Sequence, residues 1–228
     1  MAAHSPGEGK RMVSAVTITR WRSPWFIGLA VFAPAVVVLV GATALRAQGT
    51  PSPERLALCA SCHGPAGQSM AAENPNIAKL QPTYFVRQMN DFKSGKRKSP
   101  VMQGIAAMVD EKEFADLAAF YFAQTPPKPA KGEAKLIAQG KEIFYEGIVA
   151  NAVPACSGCH KDDGTGTNRY PRVAGQHPTY LVQQMLAYKS GARDNDDRGL
   201  MRAVAQRMNE NEIRAVAEFI VTLKGDEE

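Results

Sequence analysis

The chain has 228 residues, of which 45% are hydrophobic and 21% charged. This length suits two small domains, or one domain with a long tail. The formal net charge of +5 arises mainly in residues 1–47, which hold five basic residues and one acidic residue. Residues 128–228 hold fourteen of each sign, and residues 48–127 hold eight basic and seven acidic. Because most of the chain is nearly neutral, composition excludes a basic surface built for nucleic acid.

Residues 24–45 form an uncharged apolar stretch of 22 residues. As a helix it would be about 33 Å long, enough to cross the hydrocarbon core of a bilayer. Arg20 and Arg22 precede it, which predicts a cytoplasmic N-terminus and export of the chain after Arg46. A cleaved signal peptide is the alternative, although its apolar core usually spans only about 7–15 residues. We therefore expect residues 1–47 to be a cytoplasmic tail plus a membrane anchor or signal segment.

The four cysteines lie in two motifs of the same form, Cys59-Ala60-Ser61-Cys62-His63 and Cys156-Ser157-Gly158-Cys159-His160. Two thiols at this spacing can bond both vinyl groups of one porphyrin, and the adjacent imidazole then lies beneath the iron. A zinc site, which places its histidines further away, and a redox dithiol are the alternatives. The motifs predict two covalently attached haem c groups, held by the cysteines and ligated by the histidines. Thioether attachment also implies the outer face of an energy-conserving membrane.

The two motifs belong to a duplicated sequence. Cys59 and Cys156 are 97 positions apart, and equivalent residues such as Tyr84 and Tyr180 follow at an offset of 96. A period this long excludes a solenoid repeat. We predict two tandem domains, residues 48–125 and 133–228, joined by a semi-rigid proline-rich linker at residues 126–132.

Each repeat is predicted to be helical, so the expected fold class is all-α. Helices are expected to begin near Pro82 and Pro178, because proline suits the first helical turn. A last helix is expected after Asp110 and after Asn209, because a glutamate three residues later completes a capping box in each case. No stretch shows the sustained alternation that is typical of a β-strand.

Met102 and Met201 occupy equivalent positions, each eight residues before the start of the last helix. We expect each thioether to be the sixth ligand of the iron in its own repeat, which would close that iron to other ligands and raise its potential. Methionine is also a common core filler, and we interpret Met89 and Met185 in that way. His177 is another possible ligand, although a surface or propionate-bonding position suits it better. An iron with an open sixth position could instead bind peroxide or a small gas and take part in a reaction.

A proximal histidine usually donates its second ring N–H to a carbonyl or carboxylate, which fixes the orientation of the ring. Pro75 and Pro171 follow their histidines by twelve and eleven residues. We predict that these prolines present the accepting carbonyls.

The motifs together resemble the cytochrome c4 family of dihaem cytochromes c. The resemblance rests on the duplicated C-x-x-C-H, the Pro-x-Val/Ile-Ala segments, Gly175-Gln176-His177-x-x-Tyr180 and the Met-x-Gly-Ile-Ala-Ala run at Met102, and it covers roughly residues 53–223. It implies a class I cytochrome c fold for each tandem domain. It also implies His63 with Met102, and His160 with Met201, as the axial ligand pairs.

We therefore expect a non-catalytic carrier of single electrons, from a quinol-oxidising complex or dehydrogenase to a terminal oxidase. Its domains are expected in the periplasm, anchored to the inner membrane or, after signal cleavage, soluble. One alternative is a fixed haem subunit of a larger respiratory or dehydrogenase complex. Another is a dihaem peroxidase, which requires one iron that can open.

Overall fold

In the computed structural model, residues 49–225 are described, and they form helices joined by loops. The α-helices are α1 (Pro53–His63), α2 (Pro82–Lys93), α3 (Pro100–Ala107), α4 (Phe114–Phe122), α5 (Ala134–Glu146), α6 (Ser157–His160), α7 (Pro178–Ser190), α8 (Leu200–Gln206) and α9 (Glu210–Ile220). No β-strand occurs within residues 49–225, which confirms the all-α prediction. Ile148 and Val153 form an isolated bridge in the loop after α5.

The predicted membrane anchor or signal segment, residues 1–47, lies outside the described residues. Among the helices of residues 49–225, none combines the length and the apolar character needed to cross a membrane.

The chain buries two separate hydrophobic clusters, one in residues 49–127 (the first half) and one in residues 128–225 (the second half). In the first half, α2, α3 and α4 surround Phe114, Leu117 and Tyr121, which are fully buried. In the second half, α5, α7, α8 and α9 surround Phe144 and Ile213. Contacts between the halves nevertheless place all described residues in one compact unit.

The predicted capping boxes are present at both last helices. Asn209 accepts the Glu212 backbone N–H at 3.0 Å, and the Glu212 carboxylate accepts the Asn209 backbone N–H at 2.7 Å. Asp110 and Glu113 form the same reciprocal pair around a 3₁₀ turn, Glu111–Glu113, which leads into α4. These bonds satisfy N–H groups that a helix start otherwise leaves without partners. The capping prediction is therefore confirmed in both halves.

Two short helices, α3 and α8, were not predicted, although they carry Met102 and Met201. They have only eight and seven residues, which is too short for an apolar periodicity to be visible. The signal for α3 was Ser99 followed by Pro100, because the Ser99 hydroxyl accepts the Met102 backbone N–H at 3.4 Å. Helix α8 instead begins after Gly199, which adopts a left-handed conformation with φ of 72°.

The predicted linker packs on the second half. The Ala130 backbone N–H donates to the Val221 carbonyl at 2.9 Å. Pro127 lies so close to Gly175 that a Cβ at Gly175 would be 2.8 Å from the Pro127 carbonyl oxygen. Contacts such as these restrict the linker more than its proline content alone would.

In the second half, α5 and α9 approach closely through Gly140. A Cβ at this position would overlap the backbone carbonyl of Ala215 on α9 and would lie 2.8 Å from the Phe219 side chain. Since backbone atoms cannot rotate away, no side chain fits between these helices without moving them.

We predict that Gly140→Ala lowers the free energy of unfolding by about 2 kcal/mol or more, because overpacking forces the helices apart. Gly104→Ala is the matched control: nothing lies within 4 Å of its Cβ position on α3. The control is expected to raise the free energy of unfolding by roughly 0.5 kcal/mol. Denaturant unfolding followed by circular dichroism measures both. Equal free energies of unfolding for the two variants would contradict the close approach of α5 and α9 at Gly140.

Candidate haem sites

Each C-x-x-C-H motif sets two cysteines three residues apart in helical backbone. The first motif forms the end of α1, and in the second Cys156 immediately precedes α6. Residues at this spacing lie on the same face of a helix, so both thiols of a pair can reach one edge of a porphyrin. All four cysteines are free thiols. Because none of them forms a disulfide, both cysteines of each motif are available for thioether bonds to a haem, as the sequence predicts.

The environment of the first thiol in each motif does not suit a redox dithiol. A reactive dithiol needs a lowered pKa, because the thiolate is the nucleophile. Burial instead raises the pKa of Cys59, and it raises the pKa of Cys156 to about 11. Within residues 49–225, no cluster of three or more His, Cys, Asp and Glu side chains could hold a metal ion.

Both motifs line a cavity of about 820 Å³ that is bounded by both halves of the chain. The lining is mostly apolar. In the first half it includes Leu58, Ile77, Leu80, Phe85 and Phe92, and in the second half Phe144, Val173, Leu181, Val204 and Val216. Apolar walls of this kind suit the faces of a porphyrin, because they bury its large apolar surface.

The two proximal histidines have equivalent hydrogen-bonding partners, each a proline carbonyl. Nδ1 of His63 lies 2.8 Å from the Pro75 carbonyl oxygen, and Nδ1 of His160 lies 2.8 Å from the Pro171 carbonyl oxygen. A carbonyl can only accept, so Nδ1 carries the proton and Nε2 keeps its lone pair for a metal. Burial lowers the pKa of both histidines, against an opposing effect of these hydrogen bonds. Both rings are thus held in the neutral form that ligates iron.

Met102 and Met201 line the same cavity as the two histidines, and both are half-buried. Met102 lies on α3, and Met201 lies in the first turn of α8. The cavity also touches Met89, Met185 and Met208, which pack in or against the hydrophobic clusters. Axial ligation by Met102 and Met201 therefore stays a prediction.

Two buried arginines provide a further test of whether haem fits this cavity. Arg97 and Arg193 line the cavity, and each exposes only 7% of its surface. Within residues 49–225, no carboxylate lies at ion-pair distance from either guanidinium. Buried charges are normally compensated, so the cavity suits a ligand with carboxylates, and haem c carries propionates. Thiols, neutral imidazoles, apolar walls and buried cations all fit two haem groups.

These arginines were not among the predicted site residues, although the sequence contains a signal for them. Each arginine follows a Lys-Ser-Gly run at the same distance, and the two are 96 positions apart, in register with the repeat. Arg97 donates to the Tyr180 hydroxyl at 2.8 Å, and Arg193 donates to the Tyr84 hydroxyl at 2.9 Å. Each guanidinium is therefore bound by a tyrosine of the opposite half.

His177 is not positioned as a haem ligand. It does not line the cavity, and its Nε2 lies 3.0 Å from the Ser69 carbonyl oxygen of the first half. The repeat register pairs His177 with Gln81 and Ser69 with Thr165. Gln81 correspondingly donates to the carbonyl of Thr165. His177 is half-buried and contacts the first half, a contact between the repeats that the sequence did not predict.

We predict that replacing Cys59 and Cys62 together by serine removes one haem and leaves the other, because each motif anchors its own porphyrin. The intact mass of the variant should be lower by one haem, and the haem absorbance per chain should fall by half. The matched variant replaces Cys156 and Cys159 in the same way and should give the same loss. Two haems retained in either variant would contradict the assignment of that motif.

Known proteins resemble this chain in both sequence and structure. The family model for cytochrome c matches residues 137–224. Cytochrome c4 of Pseudomonas aeruginosa is 36% identical over 169 residues, which are 73% of this chain and 84% of that protein. The thiosulfate dehydrogenase electron acceptor of Stutzerimonas stutzeri is 35% identical over 180 residues, 77% of this chain and 83% of that protein.

The crystal structure of reduced recombinant cytochrome c4 from Pseudomonas stutzeri is similar with a TM-score of 0.72 and 29% identity. The match covers 77% of this chain and 100% of that chain. A match of this extent is longer than either repeat, so the similarity is not confined to a single repeat. The chain therefore belongs to the cytochrome c4 family, and it is a dihaem electron-transfer cytochrome.

Proposed function

We propose that this protein carries single electrons on the outer face of a membrane, from a quinol-oxidising complex or a dehydrogenase to a terminal oxidase. The observation that carries the proposal is the cavity into which both C-x-x-C-H motifs open from opposite halves. Two covalently held haems in one compact unit suit the transfer of electrons one at a time. A relative named as the electron acceptor of thiosulfate dehydrogenase supports a dehydrogenase as one class of donor.

In this proposal His63 with Met102, and His160 with Met201, would hold the two haem irons. The shared cavity and the neutral state of both imidazoles support these pairs. A thioether sixth ligand stabilises ferrous iron and leaves no position for a substrate. Such a site exchanges electrons without binding peroxide.

The proposed domains are residues 48–125 and 133–228, with residues 126–132 as the linker. Separate hydrophobic clusters in the two halves support this division. We further propose that residues 24–45 anchor the protein in the inner membrane and that both haem domains face the periplasm. The positive residues before this stretch and the export that haem attachment requires support that orientation.

A second candidate function is that of a fixed subunit in a dehydrogenase or respiratory complex. The relative named after thiosulfate dehydrogenase favours it, because an electron acceptor can remain bound to its enzyme. A dihaem peroxidase is not favoured, because the chain belongs to an electron-transfer family.

We predict that Met102→Ala and Met201→Ala each convert one of the two haems to a high-spin or misligated form, since each removes one iron ligand. The long-wavelength absorption band of sulfur-ligated ferric haem should lose about half of its intensity in each variant. Met89→Leu is the control, because it replaces another cavity methionine at nearly constant volume. Ferric spectra of the purified variants give the result. An unchanged spectrum in either alanine variant would mean that another residue ligates that iron.

We also predict that the native protein is found in the membrane fraction, and that detergent releases it with residues 1–47 and two haems included in its intact mass. A soluble form that lacks these residues would overturn the anchor. Size analysis after extraction separates the two candidate functions. A monomer supports the carrier, whereas a stoichiometric complex supports the fixed subunit.

A further inference from the structure

The peptide group that orients His63 is held by a side chain of the second half. The Pro75 carbonyl, which accepts from His63, belongs to the same peptide group as the Asn76 backbone N–H. That N–H donates to Oε1 of Gln176 at 2.9 Å, and Nε2 of Gln176 donates back to the Asn76 carbonyl at 2.9 Å. Gln176 is 8% exposed, so water competes little for these bonds.

At the other haem site, a side chain of the first half holds the peptide group that orients His160. The Pro171 carbonyl, which accepts from His160, shares its peptide group with the Arg172 backbone N–H. That N–H donates to Oε1 of Gln81 at 2.8 Å, and Gln81 belongs to the first half. Nε2 of Gln81 donates to the Thr165 carbonyl, which fixes the direction of the amide group. Gln81 is also 8% exposed.

The two glutamines do not occupy equivalent positions in the repeat. In register, Gln81 corresponds to His177, and Gln176 corresponds to Leu80. Duplication of an ancestral contact alone would place the same residue type at the same position. The same series of hydrogen bonds is therefore formed twice, by glutamines at positions that are not equivalent in the repeat. This argues that the two glutamines do more than fill the interface between the halves.

We propose that Gln176 tunes the haem of the first half and that Gln81 tunes the haem of the second half, each through one peptide group. In each case the histidine Nδ1–H donates to the proline carbonyl, and the next backbone N–H donates to the glutamine Oε1. Both glutamines are positioning residues, because they act on the ligand and not on the iron. The inference rests on the proposed ligation of iron by His63 and His160.

Hydrogen bonds that share one peptide group polarise each other. An N–H that donates to Oε1 makes the carbonyl of its own peptide group a stronger acceptor. A stronger bond at Nδ1 makes the imidazole a more basic ligand. A more basic ligand stabilises ferric iron, so each glutamine lowers the reduction potential of the haem held by the opposite half.

The test replaces each glutamine by methionine, Gln81→Met and Gln176→Met, which keeps the volume and removes the amide. In reduced, diamagnetic holo-protein, NMR resolves the ring Nδ1–H of each histidine. We expect Gln81→Met to speed solvent exchange of the His160 Nδ1–H and to leave that of His63 unchanged. Gln176→Met should speed solvent exchange of the His63 Nδ1–H and leave that of His160 unchanged. Redox titration should show one of the two midpoint potentials raised in each variant, and a different one in each.

Gln124→Met is the matched control, because the side-chain amide of Gln124 bonds only the Phe120 carbonyl in the same half. It should change neither exchange rate nor potential. If Gln81→Met yields no folded protein, Gln81→Leu replaces it, because leucine also removes the amide that accepts from the Arg172 backbone N–H. The same faster exchange of the His160 Nδ1–H is then expected.

Exchange changed equally at both histidines, or at neither, would overturn the inference. Failure of the proposed ligation is distinguishable, since the wild-type histidine ring protons would then lack the large shifts caused by a bound haem. In that case the variants would report only on the contact between the halves.

Discussion

The hydrogen bond from a histidine Nδ1–H to a proline carbonyl is the contact on which the rest of each haem site depends. At His63 and His160 it selects the tautomer, sets the ring plane and leaves the Nε2 lone pair for iron. The cysteine pair can hold a porphyrin in place, but it does not orient the ring beneath it. The proline loops at Pro75 and Pro171 must therefore be held as firmly as the helices that carry the motifs.

Neither loop is held by its own half alone. Gln176 reaches the peptide group after Pro75, and Gln81 reaches the one after Pro171, so each site is completed by the other repeat. Arg97 and Arg193 also bond across the halves, and both face the common cavity. The two repeats thus form one compact unit in which each haem site depends on a residue of the other repeat. Two haems held in a fixed relation suit a protein that passes electrons singly, because transfer between them depends steeply on distance.

Local patterns in the sequence were sufficient for the attachment chemistry and for much of the helical structure. The capping boxes at Asp110 and Asn209 could be predicted because a cap involves residues only three positions apart. Helices α3 and α8 could not, because seven or eight residues show no clear period. The position of His177 could not either, since its partner Ser69 is 108 residues away and lies in the other half. Contacts between the repeats depend on how the two halves pack against each other, and the spacing of residues within a short stretch of sequence does not reveal this packing.

The central claim is that this one chain holds two closed, one-electron haem centres. A coulometric titration of the intact holo-protein, followed by its visible spectrum, tests that claim most directly. We expect two electrons per chain, taken up in reversible one-electron steps, with both haems low-spin throughout and no reaction of the reduced protein with peroxide. A single electron per chain, or a high-spin haem that reacts with peroxide, would contradict it.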